Sequence, residues 1–253
     1  MIITPDTVIE IAQNEVGYLE KSRIAYATDM ECIYNKKAGA GSDNITKYGY
    51  EMHQIYPVTM DKFSYWCDSF VDWCFYKAYG VATAKSLLGG QFDDYTVESA
   101  KLYKKHGGWY KEPKAGDQVF FTNGTRICHT GLVYKVDRNH IYTIEGNTSS
   151  KQILEANGGC VAKKKYSIGY PNIAGYGRAR YDVPASCCMG DENSDVVLLQ
   201  RLLMTNGYDL PTYGLDGDFG GETVGAVKKF RQENGLKVSG ICDAKCWQIL
   251  MAV

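Results

Sequence analysis

One cysteine of this sequence, Cys67, has the residue type and the position needed for nucleophilic chemistry. It stands near the start of a predicted helix in the stretch Tyr65–Gly80, YWCDSFVDWCFYKAYG. The apolar positions of that helix share one stripe: Phe70, Val71, Cys74 and Ala78. The first N–H groups of a helix have no internal partner and carry partial positive charge, so they favour a thiolate or a nearby oxyanion. Cys67 is therefore a candidate nucleophile, whereas Cys74 is interpreted as a small core residue.

A cysteine nucleophile needs a base within hydrogen-bond reach and a third group that orients the base. The chain offers four histidines: His53, His106, His129 and His140. Only His129 opens a predicted strand, ICHTGLVYKV, whereas the others lie in an irregular region or beside turns. A second predicted strand, HIYTIEGN, follows and forms a hairpin with the first. His129 is therefore the candidate base, although a histidine at a strand start is more often a polar residue without a catalytic role.

The register of this hairpin decides which residues lie near His129. A three-residue loop, 137–139, would pair Val136 with His140 and place His129 opposite Asn147. Glu145 would then lie on the same face as a diagonal neighbour. A four-residue loop would place His129 on the opposite face unless a β-bulge compensates. The hypothesis that His129, Glu145 and Asn147 act together thus requires an odd loop or a bulge; otherwise Glu145 and Asn147 are ordinary turn residues.

The elements around these residues predict an α+β domain. A helix begins at Thr4-Pro5 and stops at Gly17, the helix carrying Cys67 starts with Asp61 or Ser64 as alternative caps and ends near Gly80, and a third covers 96–105. Strand-like runs follow in PKAGDQVFF, in the hairpin and in IAGYGRARY, so helices pack on an antiparallel sheet. The lysines at 163–165 are interpreted as a solvated face.

A sequence repeat follows a break at 181–186. DVVLLQRLLMTNGY, from Asp195, aligns with TVGAVKKFRQENGL, from Thr223, and both segments are short helices that end at Asn-Gly. Neither helix can bury its apolar face alone, so we expect them to pack together with a third helical turn at 244–250. The predicted organisation is a catalytic domain at 1–182, a linker at 183–189 and an all-α three-helix domain at 190–253.

Composition excludes several classes of protein. The chain has 253 residues, a formal net charge of -1 and 45% hydrophobic residues, as expected of a globular protein without a general affinity for nucleic acid or anionic membranes. Its nine cysteines are scattered without CxxC pairs, which favours free thiols and a reducing compartment. The N-terminus has neither a basic segment nor an apolar core of the kind found in signal peptides.

Four segments together carry a family resemblance: WCDSFVDWC, PKAGDQVFF, CHTGLVYKV and YTIEGNTS. In this order and spacing they resemble the CHAP domain of peptidoglycan hydrolases, which is papain-like and related to the NlpC/P60 group. The resemblance implies that Cys67 is the nucleophile, His129 the base and Glu145 the residue that orients the imidazole, with Asn147 in support. It also implies an oxyanion contact from the N–H of Cys67.

The same resemblance has further implications and two departures. Trp66 and Asp68, which flank the nucleophile, are expected to bind substrate. Many relatives have Pro-Trp where this chain has Tyr65-Trp66, and the closely spaced aspartates that hold calcium in some CHAP domains are missing. We therefore predict no metal and no cofactor. The C-terminal repeat resembles the three-helix peptidoglycan-binding domain that accompanies such enzymes.

Together these features predict a peptidoglycan hydrolase that cleaves an amide bond, specifically an N-acetylmuramoyl-L-alanine amidase. The alternatives are an endopeptidase that cuts the stem peptide or cross-bridge, a non-catalytic wall-binding protein, and a cysteine protease that acts on proteins. We expect a monomer that binds peptidoglycan and neither nucleic acid nor membrane. The missing signal peptide predicts synthesis in the cytoplasm and release to the wall in the manner of a phage endolysin, or secretion by another route.

Overall fold

The structure is a computed structural model that describes residues 3–154, 157–179, 181, 184 and 186–251. Its contacts divide the chain into two compact units. The larger consists of the described residues of 5–78 and 88–179, and the smaller those of 1–4, 79–87 and 180–253. The smaller unit thus includes residues 79–87, which the sequence analysis assigned to the catalytic domain. Residues 182, 183 and 185, at the predicted linker, lie outside the described residues.

Eight α-helices occur among the described residues: α1 (Pro5–Glu15), α2 (Arg23–Thr28), α3 (Lys47–Ile55), α4 (Cys67–Leu87), α5 (Thr96–Lys105), α6 (Ser194–Thr205), α7 (Gly221–Glu233) and α8 (Ala244–Leu250). A 3-10 helix, Met30–Tyr34, lies between α2 and α3. The predictions for α1, α5 and the three C-terminal helices are confirmed. Helices α2 and α3 come from a region where the periodicity was too weak to predict any element.

Helix α4 begins at Cys67 itself, because its first hydrogen bond runs from the N–H of Phe70 to the carbonyl of Trp66 (3.0 Å). The two predicted caps are therefore wrong. Ser64 instead donates to Asp94 (2.9 Å), and the N–H of Asp61 donates to the same carboxylate (2.8 Å). The regular helix ends at Gly80, as predicted, where φ of 75° interrupts the turn before a further helical segment runs to Leu87.

The sheet has six strands: β1 (Trp109–Tyr110), β2 (Gln118–Thr122), β3 (Ile127–Val136), β4 (His140–Thr148), β5 (Cys160–Ser167) and β6 (Ile173–Gly177). Their order is β1-β6-β2-β3-β4-β5, and every neighbouring pair is antiparallel. One apolar cluster on the sheet is buried: Val119, Phe121, Val133, Ile141, Tyr166 and Tyr176. Helices together with one antiparallel sheet confirm the α+β class.

Strand β5 contradicts one interpretation of the sequence. Lys163 and Lys165 are exposed, but Lys164 between them is buried, since alternate residues of a strand point to opposite faces. Its Nζ donates to the carbonyl of Ile153 (2.9 Å) and to that of Lys151. The three lysines are therefore not a uniformly solvated face.

The β3–β4 hairpin differs from the predicted register near its loop and agrees with it near the site. Val136 pairs with Ile141 rather than His140, because Asp137 accepts hydrogen bonds from the N–H groups of Asn139 (2.9 Å) and His140 (2.8 Å) and sets a longer loop. A bulge between Val133 and Lys135 then shifts the register by one residue, so Leu132 pairs with Ile144. This compensating bulge was one of the two routes that the hypothesis required.

In the smaller unit, α6 and α7 end alike, as the repeat predicted. Asn206 and Asn234 are the C-caps, and each side-chain amide donates to a carbonyl in the last turn, that of Leu202 (2.8 Å) or Phe230 (2.9 Å). Cys187 exchanges two backbone hydrogen bonds with Cys242, both 2.9 Å. Cys187 is therefore part of the helical unit rather than of the predicted linker.

Candidate active site

Cys67 is the first residue of α4 and opens onto a cleft of about 350 Å³. The residues that line this cleft are Tyr65, Cys67, Asp94, Tyr95, Thr96, Arg126, Cys128 and Asn157. At the first helical position the backbone N–H lies beyond the reach of any carbonyl of the helix. The N–H of Cys67 is thus placed at the positive end of α4, where an oxyanion would be stabilised.

The two neighbours of Cys67 in the chain are buried at the start of α4. Trp66 is buried; its indole N–H donates to Glu20 (2.8 Å), and its ring stacks on Tyr48 at 5.5 Å between centroids. Asp68 is also buried and accepts hydrogen bonds from Ser99 (2.6 Å) and Gln118. Neither side chain lines the cleft, so this structure gives no support to the predicted substrate-binding role of Trp66 and Asp68.

Asp68 sits in an acidic interior, and burial raises its pKa to about 7. The hydrogen bonds from Ser99 and Gln118 oppose that rise, and the nearby carboxylates of Asp93 and Asp94 add to it. A proton on this carboxyl group lets it remain inside without a cation.

His129 lies on β3 and is fully buried against Glu145 of β4, with 3.0 Å between Nε2 and Oε2. Nε2 must be the donor, because a carboxylate can only accept. Thr143 donates to the other carboxylate oxygen of Glu145 (2.5 Å), and Tyr166 donates to Oε2 (3.4 Å). Glu145 is therefore fixed by three partners, and it fixes the tautomer and the orientation of the imidazole.

The protonated form of His129 is favoured by its two neighbours. Burial by itself lowers the pKa of His129, but Cys67 and Glu145 outweigh that effect and raise the pKa to about 10. The bond to Glu145 occupies Nε2, and Nδ1 has no hydrogen-bond partner among the described residues. Both the Cys67 sulfur and the Glu145 carboxylate therefore favour the protonated imidazole.

Two glycines allow this close packing. A Cβ on Gly131 would lie 2.5 Å from Cγ of Glu145, so only glycine lets the Glu145 side chain lie across β3 towards His129. A Cβ on Gly146 would lie 2.6 Å from Cβ of Phe70 on α4. The sequences HTG and EGN therefore combine a functional side chain with a glycine that makes room for it.

Asn147 is buried on β4 with φ of 54°, and its carbonyl accepts from the N–H of Gly158 (3.0 Å). The regular pairing of β3 with β4 covers Leu132 to Val136, so it does not extend to the predicted pair of His129 with Asn147. The supporting role of Asn147 stays a prediction.

The cleft also contains residues that the sequence analysis missed. Tyr65 and Tyr95 are exposed aromatic side chains, and the guanidinium of Arg126 lies 5.9 Å from the ring of Tyr95. Cys128 is half-buried in the same cleft. Strict strand alternation would place Cys128 on the face opposite His129, so the sequence pattern argued against finding it here.

The other three histidines lie in structural positions. His53 contacts the carbonyl of Met60 (2.8 Å), His106 is the C-cap of α5, and His140 lies 3.4 Å from Asp137 at the hairpin loop. Asp117, which precedes β2, is buried and accepts two hydrogen bonds from Arg178, both 2.8 Å.

The described ranges contain no group of three or more His, Cys, Asp and Glu side chains arranged to hold a metal ion. Within the same ranges, none of the helices combines the length and the apolar character that a membrane span needs.

Comparison with known proteins adds two domain assignments. Residues 59–147 match the CHAP domain, and residues 192–250 match the peptidoglycan binding domain PG_binding_1. Among curated proteins, an N-acetylmuramoyl-L-alanine amidase, CwlL, of Bacillus licheniformis is 39% identical over 64 residues, which is 25% of this chain and 18% of the amidase. A probable N-acetylmuramoyl-L-alanine amidase of the same species is 44% identical over 52 residues, 21% of this chain and 15% of that protein.

Among solved structures, that of Ly7917 aligns with 73% of this chain and 64% of its own at 11% identity and a TM-score of 0.40. A peptidoglycan-binding protein from Clostridioides difficile aligns with 44% of this chain and 70% of its own at 22% identity and a TM-score of 0.27. These two scores are too low to establish a shared fold. The site and the domain matches agree, however: the chain carries a CHAP domain that contains Cys67, His129 and Glu145, followed by a PG_binding_1 domain.

Proposed function

We propose that this protein is a peptidoglycan hydrolase that cleaves an amide bond of the bacterial cell wall with Cys67 as its nucleophile. One observation carries the proposal: Cys67 begins a helix at a cleft and acts on a buried His129–Glu145 pair within a CHAP domain. A nucleophile, a base and a group that orients the base are the three parts that acyl transfer needs.

In the proposed mechanism the Cys67 thiolate attacks the amide carbonyl, and the N–H of Cys67 donates to the developing oxyanion. His129 gives the proton on Nδ1 to the leaving amine, which breaks the C–N bond and leaves an acyl-enzyme. His129 then takes a proton from water, which attacks the acyl carbon and releases the thiolate. Glu145 keeps its bond to Nε2 throughout, so Nδ1 stays directed at the reacting atoms.

The C-terminal domain has a separate part in this proposal. Peptidoglycan is insoluble, so a domain that binds it raises the effective concentration of the catalytic domain at the wall. The domain match at 192–250 supports this role.

We propose the muramoyl–L-alanine amide as the bond that is cut. The two relatives named as amidases support it, but their aligned segments are shorter than the CHAP match and cover 18% and 15% of their own lengths. The second candidate is a peptide bond of the stem or cross-bridge, because the same acyl transfer applies there. Mass spectrometry of digested peptidoglycan separates the two: intact glycan strands with newly free N-terminal alanine indicate the amidase, and a new terminus within the peptide indicates the endopeptidase.

The test of the function is the substitution Cys67→Ala. We expect clearing of purified walls to fall by several orders of magnitude, since no other group replaces the attacking thiolate, while binding to walls is unchanged. Cys188→Ala, which removes an exposed thiol of the helical unit, is the matched control and should clear walls normally.

If Cys67→Ala still clears walls at the normal rate, the assigned mechanism is wrong. A wild-type protein that binds walls and never cleaves them would instead be a non-catalytic wall-binding protein. Cleavage of casein at a rate similar to that of walls would indicate a general cysteine protease.

A further inference from the structure

The cleft holds a second thiol beside the proposed nucleophile. Cys67 and Cys128 both line it, and the charge of Cys67 contributes to raising the pKa of Cys128. Cys128 is partly exposed, so small solutes reach it without unfolding of the strand. The mechanism of amide hydrolysis uses only one of these two thiols.

A β-bulge brings Cys128 into the cleft. Phe121 of β2 pairs with His129 of β3, but the next residue, Thr122, pairs with Ile127, so Cys128 is the extra residue on β3. In a regular strand Cys128 and His129 would point to opposite faces. The bulge interrupts that alternation and redirects a side chain, as bulges beside active sites commonly do. Cys128 thus lines the cleft while His129, the next residue, acts on Cys67.

The two thiols differ in their surroundings. Burial raises the pKa of Cys128, and the Cys67 charge raises it further, against the opposing effect of Arg126. Cys128 therefore remains a thiol at neutral pH, whereas Cys67 lies at the start of α4 beside the imidazole of His129. A cysteine activated by a histidine, with a second thiol in the same cleft, is the arrangement of redox-sensitive cysteine pairs.

We propose that Cys128 is the resolving cysteine for reversible oxidation of Cys67, with hydrogen peroxide as the oxidant. The inference rests on the proposed function to the extent that Cys67 is the reactive thiolate.

The oxidation has two steps. The Cys67 sulfur attacks one oxygen of hydrogen peroxide, which forms an S–O bond, breaks the O–O bond and releases hydroxide; the sulfur is oxidised by two electrons and the peroxide is reduced. Cys128 then loses its proton and attacks the Cys67 sulfur, forming a disulfide while the hydroxyl group leaves as water. A dithiol reductant returns both cysteines to thiols and is itself oxidised to a disulfide. The disulfide blocks hydrolysis, yet it protects Cys67 from irreversible oxidation to the sulfinic acid.

The experiment compares the full-length wild-type protein with Cys128→Ser. The matched control is Cys160→Ser, because Cys160 is also partly exposed but lies on β5 and does not line the cleft of Cys67. Each protein is treated with hydrogen peroxide, digested and mapped by mass spectrometry, and then tested for wall clearing before and after a dithiol reductant. Thermal unfolding confirms that each variant is folded.

We expect peroxide to link the peptides of Cys67 and Cys128 in the wild type and in Cys160→Ser, with the loss of two hydrogen atoms. In Cys128→Ser the Cys67 peptide should instead gain two oxygen atoms. After reduction, wild type and Cys160→Ser should regain most of their activity, and Cys128→Ser should regain roughly tenfold less.

A wild-type protein without the Cys67–Cys128 link, or a folded Cys128→Ser variant that recovers like the wild type, would overturn the inference. The peptide map needs no substrate, so its outcome is independent of the proposed function. If the Cys67–Cys128 disulfide forms but the protein never clears walls, the proposed hydrolase function is refuted and the thiol-pair inference stands. A protein that clears walls and forms no link refutes only the thiol pair.

Discussion

Two cysteines of this protein lie in the first turn of a helix beside a cation, and they differ in what surrounds them. Cys67 of α4 raises the pKa of His129 and lines a cleft. Cys246 of α8 accepts a hydrogen bond from Nη1 of Arg231 (2.9 Å) and is fully buried. The hydrogen bond between Cys242 and Cys246 is the main reason that the pKa of Cys246 is lowered to about 7.

The comparison indicates that the proposed catalysis needs more than a thiol beside a cation. Arg231 donates to the carbonyls of Lys237 (2.6 Å) and Ile241 (2.9 Å) and to Asp243 (2.9 Å), and a guanidinium does not give up its proton in a protein. His129 can transfer its proton, and its neighbour Cys67 has space for a substrate. Access and a transferable proton therefore separate the proposed nucleophile from a structural thiol.

Alkylation should show the largest contrast between the two thiols. Both thiols are buried, but Cys67 lines the cleft, so we expect iodoacetamide to reach Cys67 through it and Cys246 only after local unfolding. An opening free energy of about 4 kcal/mol corresponds to roughly a 10³-fold slower reaction. We expect quantitative peptide mapping over time to show Cys67 modified first, with wall clearing lost in parallel. Equal rates at both cysteines would remove the distinction between an open and a sealed thiol.

The next largest effect is expected from Glu145, the carboxylate beside His129. Glu145→Gln keeps the shape of the side chain but removes the charge that favours the imidazolium. Thr143 and Tyr166 donate to the two carboxylate oxygens of Glu145, and glutamine has only one side-chain oxygen to accept these bonds. We expect kcat/KM for wall hydrolysis to fall by roughly 10²-fold, in the range found for general acid–base groups. Thermal unfolding serves as the control for folding. A folded Glu145→Gln variant of normal activity would show that Glu145 does not orient the base.

The sequence predicted several local elements and the meeting of His129 with Glu145, for physical reasons. Helix α5 and strand β3 have the predicted bounds because their periodicity and turn signals are local. His129 and Glu145 meet as expected, but only because a bulge corrects a loop that is longer than predicted. The longer loop depends on hydrogen bonds from the N–H groups of Asn139 and His140 to the Asp137 carboxylate, which a pattern of apolar and polar residues does not encode.

Other features were beyond the sequence because they depend on packing. Helix α4 is buried on several sides, so Asp68 lies inside, where an amphipathic pattern would have placed a polar residue outside. Trp66, which precedes the helix, is buried as well. Cys128 enters the cleft through a bulge that no spacing rule predicts. Cys246, like Cys67, is a cysteine at the start of a helix. Only the structure shows that it is fully buried.

The two cations should also respond differently to pH. The pKa of His129 in the fold is about 10, above its ordinary value of 6.5, so the protonated imidazole stabilises the folded protein most fully below about pH 6.5. That contribution declines as the pH rises towards 10, while Arg231 stays charged. We expect the difference in unfolding free energy between wild type and His129→Gln to shrink over this range in urea titrations.

Wall hydrolysis should decline over the upper part of the same range, because the leaving amine needs the proton of His129. Glu145→Gln should move that decline to lower pH, since Glu145 helps to raise the pKa of His129. An Arg231→Lys variant, which retains a cation in the helical unit, should leave the upper limb of the pH profile where it is. An identical pH profile in wild type and Glu145→Gln would show that the decline in activity does not come from deprotonation of His129.

The smallest effect is expected from the carboxylate beside the sealed thiol. In Asp243→Asn, Oδ1 can still accept from the N–H of Cys246 (3.0 Å), so the cap of α8 survives and only the ion pair with Arg231 is lost. Because the Asp243 side chain is 42% exposed, this loss should cost about 1 kcal/mol or less in urea unfolding. Wall hydrolysis should be unchanged, in contrast to Glu145→Gln, which makes the same chemical substitution in the other site. A larger loss of activity in Asp243→Asn than in Glu145→Gln would reverse the assignment of the two thiols.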